Sequence, residues 1–351
     1  MTDGTALSRR DDQPDGSVRA RVITVPEVAV VPNGGVPERG IPEVITVAHT
    51  KGGAGKSTLT SNLGFALAER GRRVLIVDLD KQCGQSMLLG IPGPHLDRLS
   101  HQPMDSGAVL RGVARLHSAL WCQVHPNLDI VPGHEQSLAQ ATDELMADGA
   151  EGQVRLYEVL FRQTEWDVIL LDTPGTQSPL LTFALTASTG VLIPAIPEAG
   201  PVAELRTVLD YIAAIADVTG AAEVLGVVRM RVGGNATYRA VAETRIRQLC
   251  DEYAVPLLRN KVPEDAKLGE AQLAGLPVGA YVPMSRSAIA FRYLAEEVDA
   301  ILEARAVANR PPTAAPDFGD GRGSGPGSGR HGATSVAADD PGGGPRGPWP
   351  D

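Results

Sequence analysis

Cysteine is scarce: Cys83, Cys122 and Cys250 are the only three in 351 residues, and no CxxC pair occurs. That count excludes a disulfide framework and a four-cysteine metal site, and it predicts a reducing cytoplasm. Aromatic residues make up 4% of the chain, so any core must be largely aliphatic. Long apolar runs are missing as well. The strongest, such as 168–171, fall far short of the ~20 residues that a bilayer-spanning helix needs. Residues 1–16 carry charge with no apolar stretch behind it, so no ordinary signal peptide is expected. The seven histidines show no metal-ligand spacing such as HExxH. Positive charge is in deficit, 32 Lys and Arg against 42 Asp and Glu, which argues against a surface that coats nucleic acid all round. The distribution is uneven, however. Between residues 226 and 292 there are ten basic and six acidic side chains, a local +4 that leaves −14 on the remainder.

Hydrophobic residues account for 43% and charged residues for 21%, enough to bury a core. Much of the glycine and proline crowds the ends. Pro311–Asp351 holds 11 Gly and 8 Pro, with Val336 as its one Val, Ile or Leu, and such a segment cannot pack. Residues 1–40 mix charge, proline and glycine around an apolar stretch at 22–31 that Pro26 interrupts. The expected organisation is a flexible arm over 1–40 with a short docking strand, a folded body over 41–307, and a disordered tail over 308–351. Within the body, continuous apolar runs at 44–48, 74–77, 128–131, 168–171, 191–196 and 224–230 alternate with helical stretches. Runs of this kind are strands buried on both faces. The predicted fold is therefore α/β, a mostly parallel sheet with helices on both faces.

Lys51-Gly52-Gly53-Ala54-Gly55-Lys56-Ser57-Thr58 lies between the first strand and a helix start. The general phosphate-loop pattern G-x-x-x-x-G-K-[ST] would need glycine where Thr50 stands, whereas the variant K-G-G-x-G-K-[ST] is met in full. Glycines let successive N–H groups close on phosphates, and the following helix N-terminus adds positive potential. Lys56 is the expected partner of the β- and γ-phosphates, and the Ser57 hydroxyl the expected ligand of Mg²⁺.

The loop and its flanks resemble the ParA/MinD group of deviant Walker-A P-loop ATPases. VLIVDLDKQCGQS over 74–86 resembles the family's V-D-x-D-P-Q-G switch, and DVILLDTPG over 167–175 its Walker-B strand and second switch. Residues 262–298 resemble the C-terminal stretch of ParA-type partitioning proteins. The resemblance implies ATP and Mg²⁺ as cofactors, with residues 51–58 around the nucleotide. It implies that Lys51 crosses a dimer interface to the partner's nucleotide and that Asp80 positions the attacking water. Asp78 and Asp172 are then the acids beside Ser57 at the metal. There are departures: Lys81 replaces the usual proline, Cys83 stands where glycine is common, and Thr173-Pro174-Gly175 replaces Cys-Pro-Pro.

By the same resemblance, the ATP-bound homodimer binds DNA without sequence preference and a ParB-type adaptor triggers hydrolysis, in the cytoplasm at the nucleoid. Lys267, Arg239, Arg245 and Arg247 are the candidate phosphate-backbone contacts, although Glu264 and Asp265 sit where relatives often have Arg-Asn. A MinD-like membrane ATPase would need a basic amphipathic C-terminal helix, whereas the sequence closes on GGGPRGPWPD. A nitrogenase-like reductase needs paired cysteines, and a tyrosine kinase a terminal tyrosine cluster, while no Tyr follows Tyr293. Positioning of a non-DNA cargo stays open, and more distantly an amidoligase-type synthetase on the same fold.

Overall fold

Val, Ile and Leu fill the strand positions, and their alternation sorts them onto two faces. The computed structural model describes residues 41–91, 104–219, 223–233 and 237–308. The expected arm at 1–40, its docking strand, and the tail from residue 309 onward lie outside the described residues. In chain order the elements are β1 (Glu43–Val47), α1 (Lys56–Glu69), β2 (Val74–Asp78), α2 (Gly84–Leu88) and α3 (Ser106–Leu110). A 3₁₀ turn (Leu116–Ala119), β3 (Trp121–His125), β4 (Leu128–Val131), α4 (Glu135–Ala147), α5 (Ala150–Phe161) and β5 (Val168–Asp172) follow. The chain continues through α6 (Pro179–Thr186), β6 (Gly190–Ala195), α7 (Ala199–Thr219), β7 (Glu223–Arg229) and α8 (Thr237–Glu252). The last elements are α9 (Ala266–Leu273), α10 (Val278–Tyr281) and α11 (Arg286–Ala308).

The sheet has seven strands in the order β3-β4-β2-β5-β1-β6-β7. Six of them run parallel, and β3 pairs antiparallel with β4 at one edge. The mostly parallel expectation holds, with the antiparallel edge strand added. Beyond the named strands, Leu257 makes an isolated parallel bridge to Val227. Ile45, Val47, Ile76 and Leu170 face α1 and α11, while Val44, Leu75, Val77, Ile169 and Leu171 face α3 to α6. Val191 and Ile193 carry that second face on to α7 and α8.

Register fixes where the chemistry gathers. Val47 pairs with Asp172, and Asp78 pairs with Asp172, so β1, β5 and β2 end at one level. The glycine loop leaves from β1 there, and both acids stand beside it. Crevices at the carboxyl ends of parallel strands are where open α/β sheets bind ligands.

The C-terminal stretch is pinned to this edge. Gln272 Nε2 donates to Thr58 Oγ1 at 3.1 Å, and the Val278 N–H donates to Asn62 Oδ1 at 2.7 Å. Gly90 and Gly275, both left-handed at φ 66° and 67°, meet backbone to backbone between α2 and α9. Arg70 and Arg72 both grip Asp299, joining the end of α1 to α11.

Candidate active site

Gly53 and Gly55 hold left-handed backbone at φ 77° and 90°, the conformation that lets the loop turn back over the start of α1. The residue before α1 is Gly55, so no side chain caps the helix, and no acid sits in its first turn. Those first N–H groups are left for an anion. A side chain added at Gly52 or Gly53 would meet nothing within 4 Å, which marks open space above the loop. Lys56 is buried, and its Nζ donates weakly to the Lys51 carbonyl at 3.5 Å. Burial pulls the Lys56 ammonium below its usual range, opposed by the charges of Asp172 and Asp80. A buried ammonium held by one long hydrogen bond beside a glycine cradle fits a polyphosphate.

Ser57 and Asp172 supply hard oxygen donors, the kind Mg²⁺ prefers. Asp172 is fully buried, and burial pushes its carboxyl up to about 6 against the pull of Ser57, Lys56 and Gln85. Thr60 Oγ1 approaches one of its oxygens at 3.5 Å, and Gln85 Nε2 donates to the other at 3.1 Å. The same Gln85 nitrogen donates to the Ser57 carbonyl at 2.8 Å, tying the switch to the loop. Gly84 lies over this pair: a Cβ there would stand 2.8 Å from Ser57 Oγ and 3.9 Å from Asp172 Oδ2. No sequence motif singled out Gly84 or Gln85, although both lie inside the switch segment.

Asp78 has a different setting from Asp172. Its Oδ1 accepts from the Asp80 N–H at 3.1 Å, and its Oδ2 from the Gln85 and Ser86 N–H groups at 3.2 and 3.3 Å. Burial, with the Asp172 charge behind it, holds the Asp78 carboxyl well above its usual range, while the backbone donors oppose the shift. Asp78 thus shapes the switch from within. Asp80 is half-exposed; one oxygen accepts from the Gln82 N–H at 3.0 Å, and the other makes no hydrogen bond among the described residues.

Lys51 is exposed and makes no ion pair among the described residues. Its backbone N–H donates to Nδ1 of the buried His49 at 3.1 Å, and its Nζ lies 3.4 Å from where a Cβ on Gly200 would be. Burial, followed by the charges of Lys56 and Lys51, lowers His49 to about 4, so it is a neutral acceptor. The second switch docks on the loop's head. Thr173 donates to the Val47 carbonyl at 2.8 Å, and a Cβ on Gly175 would come within 2.8 Å of the Gly52 nitrogen.

The four candidate DNA contacts are spread over two helices, and two are already neutralised. Lys267 pairs with Glu270 at 2.7 Å, and Arg239 with Glu264 at 2.9 Å. Arg245 reaches Gln248 at 3.3 Å, and Arg247 is exposed with no ion pair among the described residues. A pair three residues apart, such as Lys267 and Glu270, is visible in the sequence; the pair of Arg239 with Glu264 is not.

The fold and the loop together define a P-loop nucleotide-binding protein. Residues 42–222 match the AAA domain family. The chain is 31% identical over 259 residues to the chromosome-partitioning ATPase Soj of Thermus thermophilus, covering 72% of this chain and 94% of that one. The cell division ATPase MinD of Pyrococcus furiosus is similar in structure with a TM-score of 0.60 at 28% identity, covering 74% of this chain and all of that one. Cobyrinic acid a,c-diamide synthase from Mycobacterium smegmatis, solved with ADP and magnesium, reaches 0.60 at 26% identity over 79% of this chain and 100% of that one. The chain belongs to the ParA/MinD family of P-loop ATPases. Among the described residues no helix is long and apolar enough to cross a membrane.

Proposed function

We propose that the protein is a Mg²⁺-dependent ATPase whose ATP-bound homodimer binds DNA without sequence preference and partitions it, with a ParB-type partner stimulating hydrolysis and release. The observation that carries this reading is the division between the two loop lysines. Lys56 is buried against its own loop, whereas Lys51 is exposed and free of ion pairs among the described residues. An inward lysine serves the subunit's own phosphates. An outward lysine at the loop's head is available to a second subunit, where charge delivered in trans stabilises the departing phosphoryl group.

Bound Mg²⁺ would neutralise phosphate charge, held by Ser57 and the two acids beside it, Asp172 and Asp78. Asp80 orients the attacking water with the oxygen that Gln82 leaves unused. Lys51, Gly52, Gly53, Ala54, Gly55, Lys56, Ser57 and Thr58 enclose the phosphates. Residues 41–307 carry this activity, and the segments on either side are arms outside it. The protein works in the cytoplasm, at the nucleoid.

Sedimentation of Asp80→Ala with ATP and Mg²⁺ tests the reading. The variant should form a persistent dimer that binds duplex DNA and releases no phosphate. Phosphate release at the wild-type rate, or a monomer in saturating ATP, overturns the assignment. An ATP dimer that ignores DNA would favour a non-DNA cargo. The likeness to the synthase supports a second reading, an ATP-dependent metabolic enzyme; turnover by a monomer, indifferent to DNA, would favour it.

A further inference from the structure

Beyond the nucleotide site, a cleft of about 350 Å³ opens where Val232, just after β7, meets residues 259–263 and the first turns of α11. Three cations line it: Arg259, Lys261 and Arg286. We propose that this cleft grips the sugar–phosphate backbone of duplex DNA, in preference to the surface around Lys267 and Arg239. The proposal rests on the DNA-partitioning reading above.

Charge accounting separates the two surfaces. Lys267 and Arg239 each hold a carboxylate at hydrogen-bond distance, 2.7 and 2.9 Å, so either must give up a partner to take a phosphate. The cleft cations are less committed. Arg259 stands 3.7 Å from Glu297, and its side chain is 91% exposed. The Glu297 oxygens are already engaged by the N–H groups of Arg259 and Asn260, at 2.7 and 2.9 Å, and by Asn260 Nδ2 at 2.8 Å. Lys261 stands 3.8 Å from Glu243, a carboxylate that also faces Arg229 at 3.7 Å. Arg286 touches the Glu264 carbonyl at 3.3 Å and forms no ion pair among the described residues. Arg231 stands one residue before the cleft-lining Val232; it too is exposed, without an ion pair among the described residues. Cations separated from their carboxylates by more than a hydrogen bond exchange water for phosphate without first breaking a pair.

The remaining lining suits a sugar–phosphate strand. Ile289 and Ala290 offer an apolar floor for deoxyribose, and Tyr293, 57% exposed, presents a hydroxyl of the kind that meets phosphate oxygens. The three cations carry donors and no acceptors, which suits the oxygens of phosphates. Met230, two residues before Val232, packs its side chain 3.6 Å from where a Cβ on Gly55 would lie. The short segment after β7 therefore runs from the nucleotide loop to the cleft.

The test is a salt titration of binding to a random-sequence duplex, with a non-hydrolysable ATP analogue and Mg²⁺. The variants are Arg259→Ala/Lys261→Ala/Arg286→Ala and, for comparison, Arg239→Ala/Lys267→Ala. Removing three phosphate contacts per subunit should lower the slope of log affinity against log salt by about 2.7 per subunit, while the comparison pair changes it less. Arg259→Lys with Arg286→Lys should keep the wild-type slope, because charge and not shape is used. Each variant is checked for ATP affinity and its thermal transition. If the triple variant fails to fold, Arg259→Ala alone decides, with an expected loss of about 0.9 in slope. Wild-type binding that survives unchanged in the cleft variants, or that is lost in the comparison pair instead, overturns the cleft while leaving the DNA reading intact. A wild-type protein that binds no duplex at any salt in the ATP state overturns both.

Discussion

Gly84→Ala isolates the metal position from the rest of the nucleotide site. The new methyl would sit 2.8 Å from Ser57 Oγ and 3.3 Å from Ser57 Cβ, and real Cβ atoms are not found that close to an oxygen. Ser57 can escape by rotating its hydroxyl, but that rotation removes the oxygen expected to hold Mg²⁺. The global stability should hardly move. Alanine is preferred over glycine within a helix by roughly 1 kcal/mol, and the local clash costs a similar amount. Metal binding lacks that compensation. Disturbing a ligand's support typically weakens a metal site by about 10–100-fold, and the same range is expected for the Mg²⁺ concentration giving half-maximal ATP turnover. Nucleotide binding in EDTA should stay at the wild-type level, since Lys56 and the loop N–H groups are untouched. The assay is phosphate release against Mg²⁺, run beside a thermal melt. An unchanged Mg²⁺ midpoint in a well-folded Gly84→Ala protein would refute the placement of the metal between Ser57 and Asp172.

Stability should fall as pH drops from 6.5 through about 4, because burial and the nearby lysines keep His49 neutral in the fold while it protonates when unfolded. The stabilisation is complete above 6.5 and lost as pH falls through the folded value; His49→Asn, which keeps an acceptor for Lys51 but does not titrate, should flatten this part of a urea-denaturation profile by up to about 2–3 kcal/mol. Asp299→Ala should cost about 1–3 kcal/mol in chemical denaturation, less than a fully buried pair because Arg70 and Arg72 stay partly solvated, with ATP affinity retained. Equal stability of wild type and Asp299→Ala would show that the α1–α11 junction is held by its apolar contacts alone.

The phosphate loop, the strands around it and the acid at the end of β5 were legible in the sequence because each rests on local pattern: glycine spacing, β-branched runs and an acid closing an apolar strand. What stayed hidden depends on partners distant in sequence. The five residues of α2 have no stripe; Gln85 holds them by reaching Ser57 and Asp172. β3, Trp-Cys-Gln-Val-His, lacks the apolar run of an interior strand because it pairs on one side only. The value of Gly175 shows only against Gly52, across the space between two strand ends. Surface charge misled most: counting cations over 226–292 could not reveal that Glu264 neutralises Arg239 while the cluster at 259, 261 and 286 keeps its charge available.

Gly90 and Gly275 have a mechanical meaning. An ideal Cβ on Gly275 would lie 2.7 Å from the Gly90 Cα, so the two chains touch with no side chains between them. Layers of side chains absorb small displacements by changing rotamer, much as a gasket takes up play. Here the gasket is absent. Any shift of the segment that follows Asp80 must therefore be passed to α9 nearly undiminished, because bare backbone neither compresses nor reorients. With Gln272 bolted to Thr58 in the last turn of the same helix, the C-terminal end of α9 bears hard on both α1 and the segment that follows Asp80.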